Sequence, residues 1–527
     1  MPTHKKILFS VVAMILFFGF AELLSRVFVI PSSYDYIERR IMEEGLARHK
    51  KDGEFRIFLY GESTMHGGAL YPYSTIGKWL KSYLSDLLPE DAARNIKIVN
   101  FGRMGSDSTF IANAFRETMP YKPDLAVFYT AHNDFCLAEY RLRHISKKKP
   151  NDIFEDFCET LPKKSSFLSI FNRLSILAKL NRNRARDAQL AAKDPWYDES
   201  DTPEAFREEA NLLRPGSAQF DIVMKNLKNN VEDIIETARR GKVPVIFFEG
   251  LSRWKDFEPV RSVHSDSLTK DTILKWEKSF SKAADLFAMG DYDKASALYE
   301  DCIGIDPSYA LAYYKAAECY ERLGEFDKAN HNYELANDND YFPIRAPSAV
   351  NRFYEKIRND SANGTDVIQT QKLIEEHSPD GIVGATLTID QIHQSPEGQA
   401  LMALEVAKIM YNNGMLVPRK DWRWDKLRGA EEMKKSLGLD DESMFHVYTG
   451  TASYLAKHYY QAAKALEKAL AIRPGSVFVR SWLAWTYWKI GERDKAIVLY
   501  RELYREKPSS AAVFFKRHPE IKELLGE

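Results

Sequence analysis

From Phe55 onward, short apolar runs alternate with longer amphipathic stretches. The runs are FRIFLY, IKIVNF, DLAVFYT and VPVIFF. Each is brief, rich in branched or aromatic residues, and bounded by polar or turn residues, as a buried strand should be. Strands that alternate with amphipathic segments predict a parallel sheet flanked by helices, an α/β fold.

Two other blocks follow a different rhythm. From Trp276 to Asp340, and again from Met444 to Pro508, small residues return every thirty-four positions. Ala283, Ala295 and Cys302 recur as Ala317, Ala329 and Ala336; Gly450, Ala462 and Ala469 recur as Ala484, Ala496 and Leu503. The breakers GDYD, GEFD and GERD separate paired helical stretches. These blocks resemble tetratricopeptide repeats, two in each block, in which small residues let paired helices approach closely. Leu503 departs from the small-residue rule, as a terminal repeat allows. Concave repeat surfaces commonly bind proteins, so a protein partner is expected. The two blocks are expected to pack near one another.

At the N-terminus, Lys5 and Lys6 precede an uncharged apolar run from Ile7 to Ala21, and apolar character continues to Ile30, broken by Glu22 and Arg26. A positive flank before such a run directs export and leaves the N-terminus in the cytoplasm. Gly19-Phe20-Ala21 offers small residues for cleavage, but the apolar length favours an uncleaved transmembrane anchor over residues 1–31. The body is then expected on the extracytoplasmic, periplasmic-type side. Residues 136–216 are charged around an apolar patch, SSFLSIFNRLSILAKL. They read as a helical surface insertion, with a lid or membrane-surface helix as the sharper alternative.

Composition narrows the function. Hydrophobic residues make up 45% of the 527, enough for packed cores, and 74 basic residues nearly cancel 75 acidic ones. That balance argues against nucleic-acid binding. Four cysteines do not make a disulfide framework, although export would permit a Cys136–Cys158 pair. Cys302 and Cys319 fall inside the repeats. No histidine or cysteine spacing matches a zinc site, so neither metal nor cofactor is expected.

The candidate chemistry sits at strand ends. In FRIFLYGESTMHGG an apolar strand runs into Gly61-Glu62-Ser63. A serine just past a strand is presented at the carboxyl edge of the sheet, where α/β proteins bind ligands, with the amides of the following helix close by. Ser63 has a plainer reading as a helix N-cap. After IKIVNF comes GRMGSDS, with Gly105; after DLAVFYT comes Ala131-His132-Asn133-Asp134. Glycine amides and an asparagine side chain are the donors that an oxyanion requires. In TIDQIHQSPEGQ, Asp390 and His393 lie three apart before an amphipathic helix, a spacing that lets the carboxylate hold the imidazole. His66, three residues after Ser63, reads as a first-turn surface residue with pocket lining as the alternative, and His264 as a rival base. His132 is open between pointing into the site and not. Asp340 with Arg345 reads as an ion pair steering the chain back to the sheet, substrate contact being the alternative.

These four stretches resemble the four blocks of the SGNH, or GDSL-type, hydrolases, over roughly Phe55 to Gly414, with a repeat pair inserted before the last block. Glu62 stands where the family name implies aspartate, and Ala131-His132 where glycines are usual. The resemblance implies a flavodoxin-like three-layer domain and ester chemistry. Ser63 would be the nucleophile, His393 the base and Asp390 its orienter, with Ser63, Gly105 and Asn133 forming the oxyanion hole. It implies an acyl-ester substrate, an acylated carbohydrate or lipid. An acyltransferase of cell-surface polysaccharide and a catalytically idle repeat scaffold are the competing functions. The resulting division is an anchor (1–31), a first hydrolase part (50–265, insertion 136–216), inserted repeats (266–341), a last hydrolase part (342–420) and C-terminal repeats (440–527).

Overall fold

The computed structural model describes residues 34–136, 213–437 and 446–506, apart from a few positions within those ranges. The 1–31 anchor, nearly all of the 136–216 insertion and Cys158 lie outside the described residues. Among the described residues, no helix is long and apolar enough to cross a membrane. Contacts divide the chain into one unit of Met1–Leu46 with Tyr140–Ala210 and another of Ala47–Glu139 with Asn211–Glu527. The described part of the first includes the helix Tyr34–Glu43, where Arg40 bonds Glu43 and Glu44 at 2.9 and 3.0 Å.

The second unit is built on a five-stranded sheet. Its strands are β1 (Phe55–Gly61), β2 (Ile96–Asn100), β3 (Leu125–Tyr129), β4 (Val245–Phe248) and β5 (Thr365–Ile368). All neighbours are parallel, in the order β2-β1-β3-β4-β5, the flavodoxin-like arrangement. The four apolar runs form β1 to β4. β5 escaped the pattern because TDVI is short and half polar, and as an edge strand it is only half buried.

Side-chain alternation gives the sheet two apolar faces. Ile57, Leu59, Val127, Tyr129, Ile246 and Phe248 join one core with α1 (Ile76–Leu87) and with the long helix Pro396–Asn412. On the other face Tyr60, Phe128 and Phe247 stack in a row, with ring centroids 5.0–5.1 Å apart. Phe115 of α2 (Ser108–Thr118) and Tyr354 of the helix Ser348–Asn359 close over that row. Helices on both faces leave the carboxyl ends of the strands as the open edge. Between β1 and β3 the strand order reverses, the position at which such sheets bind ligands.

The inserted block is two helix pairs, Lys270–Ala288 with Tyr292–Ile305 and Ala310–Leu323 with Phe326–Asp338. Ala283, Ala295, Cys302, Ala317, Ala329 and Ala336 are all buried at their contacts. Cys302 is packing, its carbonyl accepting the Trp276 indole N–H at 2.8 Å. In the C-terminal block the helices Tyr459–Ile472, Val477–Lys489 and Arg493–Glu506 are built in the same way. Leu503 is fully buried there beside Tyr500 and Ala496. The core of the inserted block takes in Ile382 and Trp254 from outside the repeats, and the C-terminal block's core joins Val447 to its three helices.

The chain returns from the inserted repeats through a buried polar knot. Asp340 accepts the Val260 and Arg261 amides at 2.8 and 2.9 Å and lies 3.8 Å from Arg345. Arg345 donates to the Phe257 carbonyl at 2.9 Å. The pair therefore steers the chain, as its structural reading held. Ala317 is fully buried in the core of the inserted block, so Ala317→Leu should destabilise the protein by about 1–3 kcal/mol. Urea denaturation will measure this; an unchanged midpoint would show that the slot is not close-packed.

Candidate active site

The nucleophile block is shaped by sterics. A Cβ on Gly61 would stand 2.5 Å from both the Met65 Cβ and the Tyr129 carbonyl oxygen, so only glycine lets the chain turn there. The turn opens the helix Ser63–His66, with Glu62 at its N-cap position. Ser63 is therefore inside the helix and not its cap, and its hydroxyl is directed elsewhere. One turn is too short to sum a helix macrodipole, so electrostatic help at this spot comes from individual amides.

The hydroxyl meets His393. Ser63 Oγ lies 2.8 Å from His393 Nε2, and His393 Nδ1 lies 2.7 Å from Asp390 Oδ2. Asp390 Oδ1 accepts the backbone amides of Ile392 and His393 at 2.9 and 2.8 Å, so the carboxylate is oriented before it orients the ring. Burial opposes the Asp390 charge, but His393 and these hydrogen bonds outweigh it and hold its carboxyl below the ordinary range. For His393, burial likewise opposes the charge, and the Asp390 carboxylate wins, raising the imidazole above 6.5.

The loops that follow β2 and β3 are tied to each other. Asn133 Nδ2 donates to the Ser106 carbonyl at 2.7 Å, tying the loop after β3 to the loop after β2. An amide nitrogen carries two hydrogens, so one remains for a further acceptor. Asp134 accepts both the backbone and the hydroxyl of Ser108, at 3.0 and 2.5 Å. Gly105 lies at the exposed tip of the same loop, at a φ of 67°, with open space where a Cβ would be.

Sequence reasoning left two residues here without a role. Glu62 is fully enclosed: Oε1 accepts the Ala131 amide at 2.9 Å and the Thr130 hydroxyl at 3.1 Å, and Oε2 accepts the Asn133 amide at 2.9 Å. Burial, then Asp134, pushes its carboxyl up to about 8, against the pull of those bonds. The departure from aspartate is thus a strut holding the Asn133 turn. Gly68 supports the base: a Cβ there would come within 2.7 Å of His393 Cδ2. The His66-Gly67-Gly68 stretch was its available signal.

The remaining histidines divide clearly. His66 is half-buried, not on the surface, with its ring tilted against Tyr71 and the centroids 4.1 Å apart. His264 is bound to Asp306 at 2.7 Å and packed against Trp276 and Tyr309, so the structure does not bring it to Ser63. His132 is fully buried, and its Nδ1 accepts the Ala346 amide at 3.0 Å. Among the described residues, no group of three or more His, Cys, Asp or Glu could hold a metal ion.

The line from Asp390 to Ser63 sets a measurable pH behaviour. The His393 imidazole should titrate above 6.5 in wild type, and Asp390→Asn should move it down. NMR titration of the ring protons reads both; an unchanged value in the variant would separate Asp390 from the imidazole.

Comparison with known proteins gives a divided picture. Residues 286–331 match the tetratricopeptide repeat family model. No curated protein matches the chain. Similar solved structures include an acylhydrolase by assignment from Bacteroides fragilis, 10% identical, TM-score 0.30, covering 71% of this chain and 96% of that one. A GDSL-like lipase from Bacteroides thetaiotaomicron is 11% identical, TM-score 0.28, covering 72% and 98%. A tetratricopeptide-repeat protein from Thermus thermophilus is 17% identical, TM-score 0.14, covering 46% and 96%. The structures similar to this chain are thus GDSL-like acylhydrolases and tetratricopeptide-repeat proteins, and residues 286–331 are tetratricopeptide repeat.

Proposed function

We propose that the protein is a serine hydrolase acting on ester bonds, with an O-acyl group on a carbohydrate or lipid as its substrate class. The observation that carries this is the unbroken line Asp390–His393–Ser63, with contacts of 2.7 and 2.8 Å. Ser63 Oγ attacks the acyl carbonyl while His393 Nε2 takes its proton. The tetrahedral oxyanion is held by the Ser63 and Gly105 amides and the free N–H of Asn133. Collapse expels the alcohol, which His393 protonates, and leaves an acyl-Ser63 ester. Water, activated by the same imidazole, then releases the acid. A sugar hydroxyl in place of that water would make the protein an acyltransferase with the same intermediate.

The remaining assignments follow from the sequence. The Lys5-Lys6 flank and apolar run support a membrane anchor with the body on the extracytoplasmic side. The repeats support recruitment of a protein partner, the near-neutral charge gives no footing for nucleic acid, and the chemistry calls for no metal or cofactor.

Ser63→Ala should abolish hydrolysis of a short acyl ester, a loss on the order of a thousandfold or more, while leaving the fold intact. A fluorophosphonate should label the wild-type chain at Ser63. Full activity in the variant, or labelling at another residue, overturns the assignment. Since the base must be neutral, kcat/KM should fall as pH drops through the raised His393 pKa. For topology, an export-dependent reporter fused after Glu527 should be active; activity of a cytoplasmic reporter instead would reverse the orientation.

A further inference from the structure

The hydrolase resemblance leaves the inserted repeats as an appendage, but their way back to the sheet passes through the site. The peptide unit of Ala346 is held on both sides. Its N–H donates to His132 Nδ1 at 3.0 Å, and its carbonyl accepts Asn337 Nδ2 at 3.0 Å. Asn337 belongs to Phe326–Asp338, the last helix of the inserted pair, and His132 directly precedes Asn133. Both side chains are buried, at 2% and 0% exposure, so water cannot readily replace either bond.

The next residues grip that loop and the one after β4. Tyr354 donates its hydroxyl to the Thr130 carbonyl at 2.9 Å, and Asn351 exchanges two bonds of 2.9 Å with Gly250 at the end of β4. The loop after β3 is therefore clamped between Glu62 on the nucleophile side and the post-repeat segment on the other.

We propose that the inserted repeat pair sets the geometry of the ester-cleaving site, through a path from Asn337 over the Ala346 peptide to His132, so that Asn337 and His132 are positioning residues. This rests on the hydrolase reading above. Because Nδ1 accepts, the neutral His132 ring carries its hydrogen on Nε2, and that nitrogen is buried without a partner. One tautomer and one ring orientation are thereby selected, and the adjoining Asn133 is fixed with them. Burial, then the nearby His393, keeps the His132 pKa down at about 3, so the ring stays neutral beside the base. The path acts on the transition state through Asn133, and its loss should be felt in kcat more than in KM.

Three variants of the full chain separate this from a simple brace. His132→Asn keeps an acceptor near the δ position and removes the ε nitrogen. His132→Gln keeps an N–H near the ε position and removes the δ acceptor. Asn337→Ala breaks the path inside the repeats. With p-nitrophenyl acetate, His132→Gln and Asn337→Ala should lose kcat on the order of tenfold or more with little change in KM, while His132→Asn stays within about threefold of wild type. Fluorophosphonate labelling of Ser63 should slow in parallel. Wild-type kcat in Asn337→Ala, or equal losses in His132→Asn and His132→Gln, overturns the proposal. Imidazole nitrogen NMR of the wild-type chain tests it without any variant: the Nε2–H tautomer of His132 is expected, and the Nδ1–H tautomer overturns it. A wild type that neither hydrolyses nor labels would overturn the hydrolase reading, and the tautomer would still decide whether the path exists.

Discussion

Ser63 Oγ and His393 Nε2 stand 330 positions apart in sequence and 2.8 Å apart in space. The rest of the second unit can be understood as what that contact requires. β1 must end in a turn that only glycine allows, so that the serine leaves the strand at the sheet edge. The segment Asp390–His393 must fold back on itself, which it does by capping its own amides with the Asp390 carboxylate. Gly68 must be small enough to let the ring lie against it. An error of an ångström at any of these points would break the alignment, since hydrogen bonds weaken steeply with distance and angle.

Around that contact the structure relies on buried polar groups rather than on apolar packing. Glu62, Asn133, Asp134 and His132 hold the loops after β1, β2 and β3 together with buried or half-buried bonds. Such networks are costly when incomplete and specify one arrangement when complete. Burial has an electrostatic side as well: it pushes the Glu62 carboxyl up and the His132 imidazole down, while mutual attraction lowers Asp390 and raises His393 against it. Four groups close together in the chain fold thus have different proton affinities because their partners differ.

The inserted repeats fit into this scheme as a crossover between β4 and β5. Parallel neighbours need a long connection, and here the connection carries two helix pairs whose core extends to Trp254 and Ile382 on either side of them in the chain. The Asp340–Arg345 knot and the bonds of Ala346, Asn351 and Tyr354 return the chain to the sheet edge at a defined place. The C-terminal block has its own core and closes no crossover.

What the sequence determined by itself was local or periodic. Four strands were legible because each is a continuous apolar run, and the repeats because small residues recur at a spacing that helix contact imposes. Ser63, Gly105, Asn133, Asp390 and His393 stood out because each follows a strand or opens a helix in a recognisable short motif. Tertiary structure decided the rest. β5 is recognisable only by its pairing with β4, since four half-polar residues carry too little pattern. Glu62 looked like a departure until its two amide partners, 69 and 71 positions away, gave it a role. The tautomer of His132 depends on an amide 214 positions away. Hydrogen bonds between segments so distant leave no periodicity in the chain, because their partners are chosen by the packing of the sheet and not by neighbours in sequence.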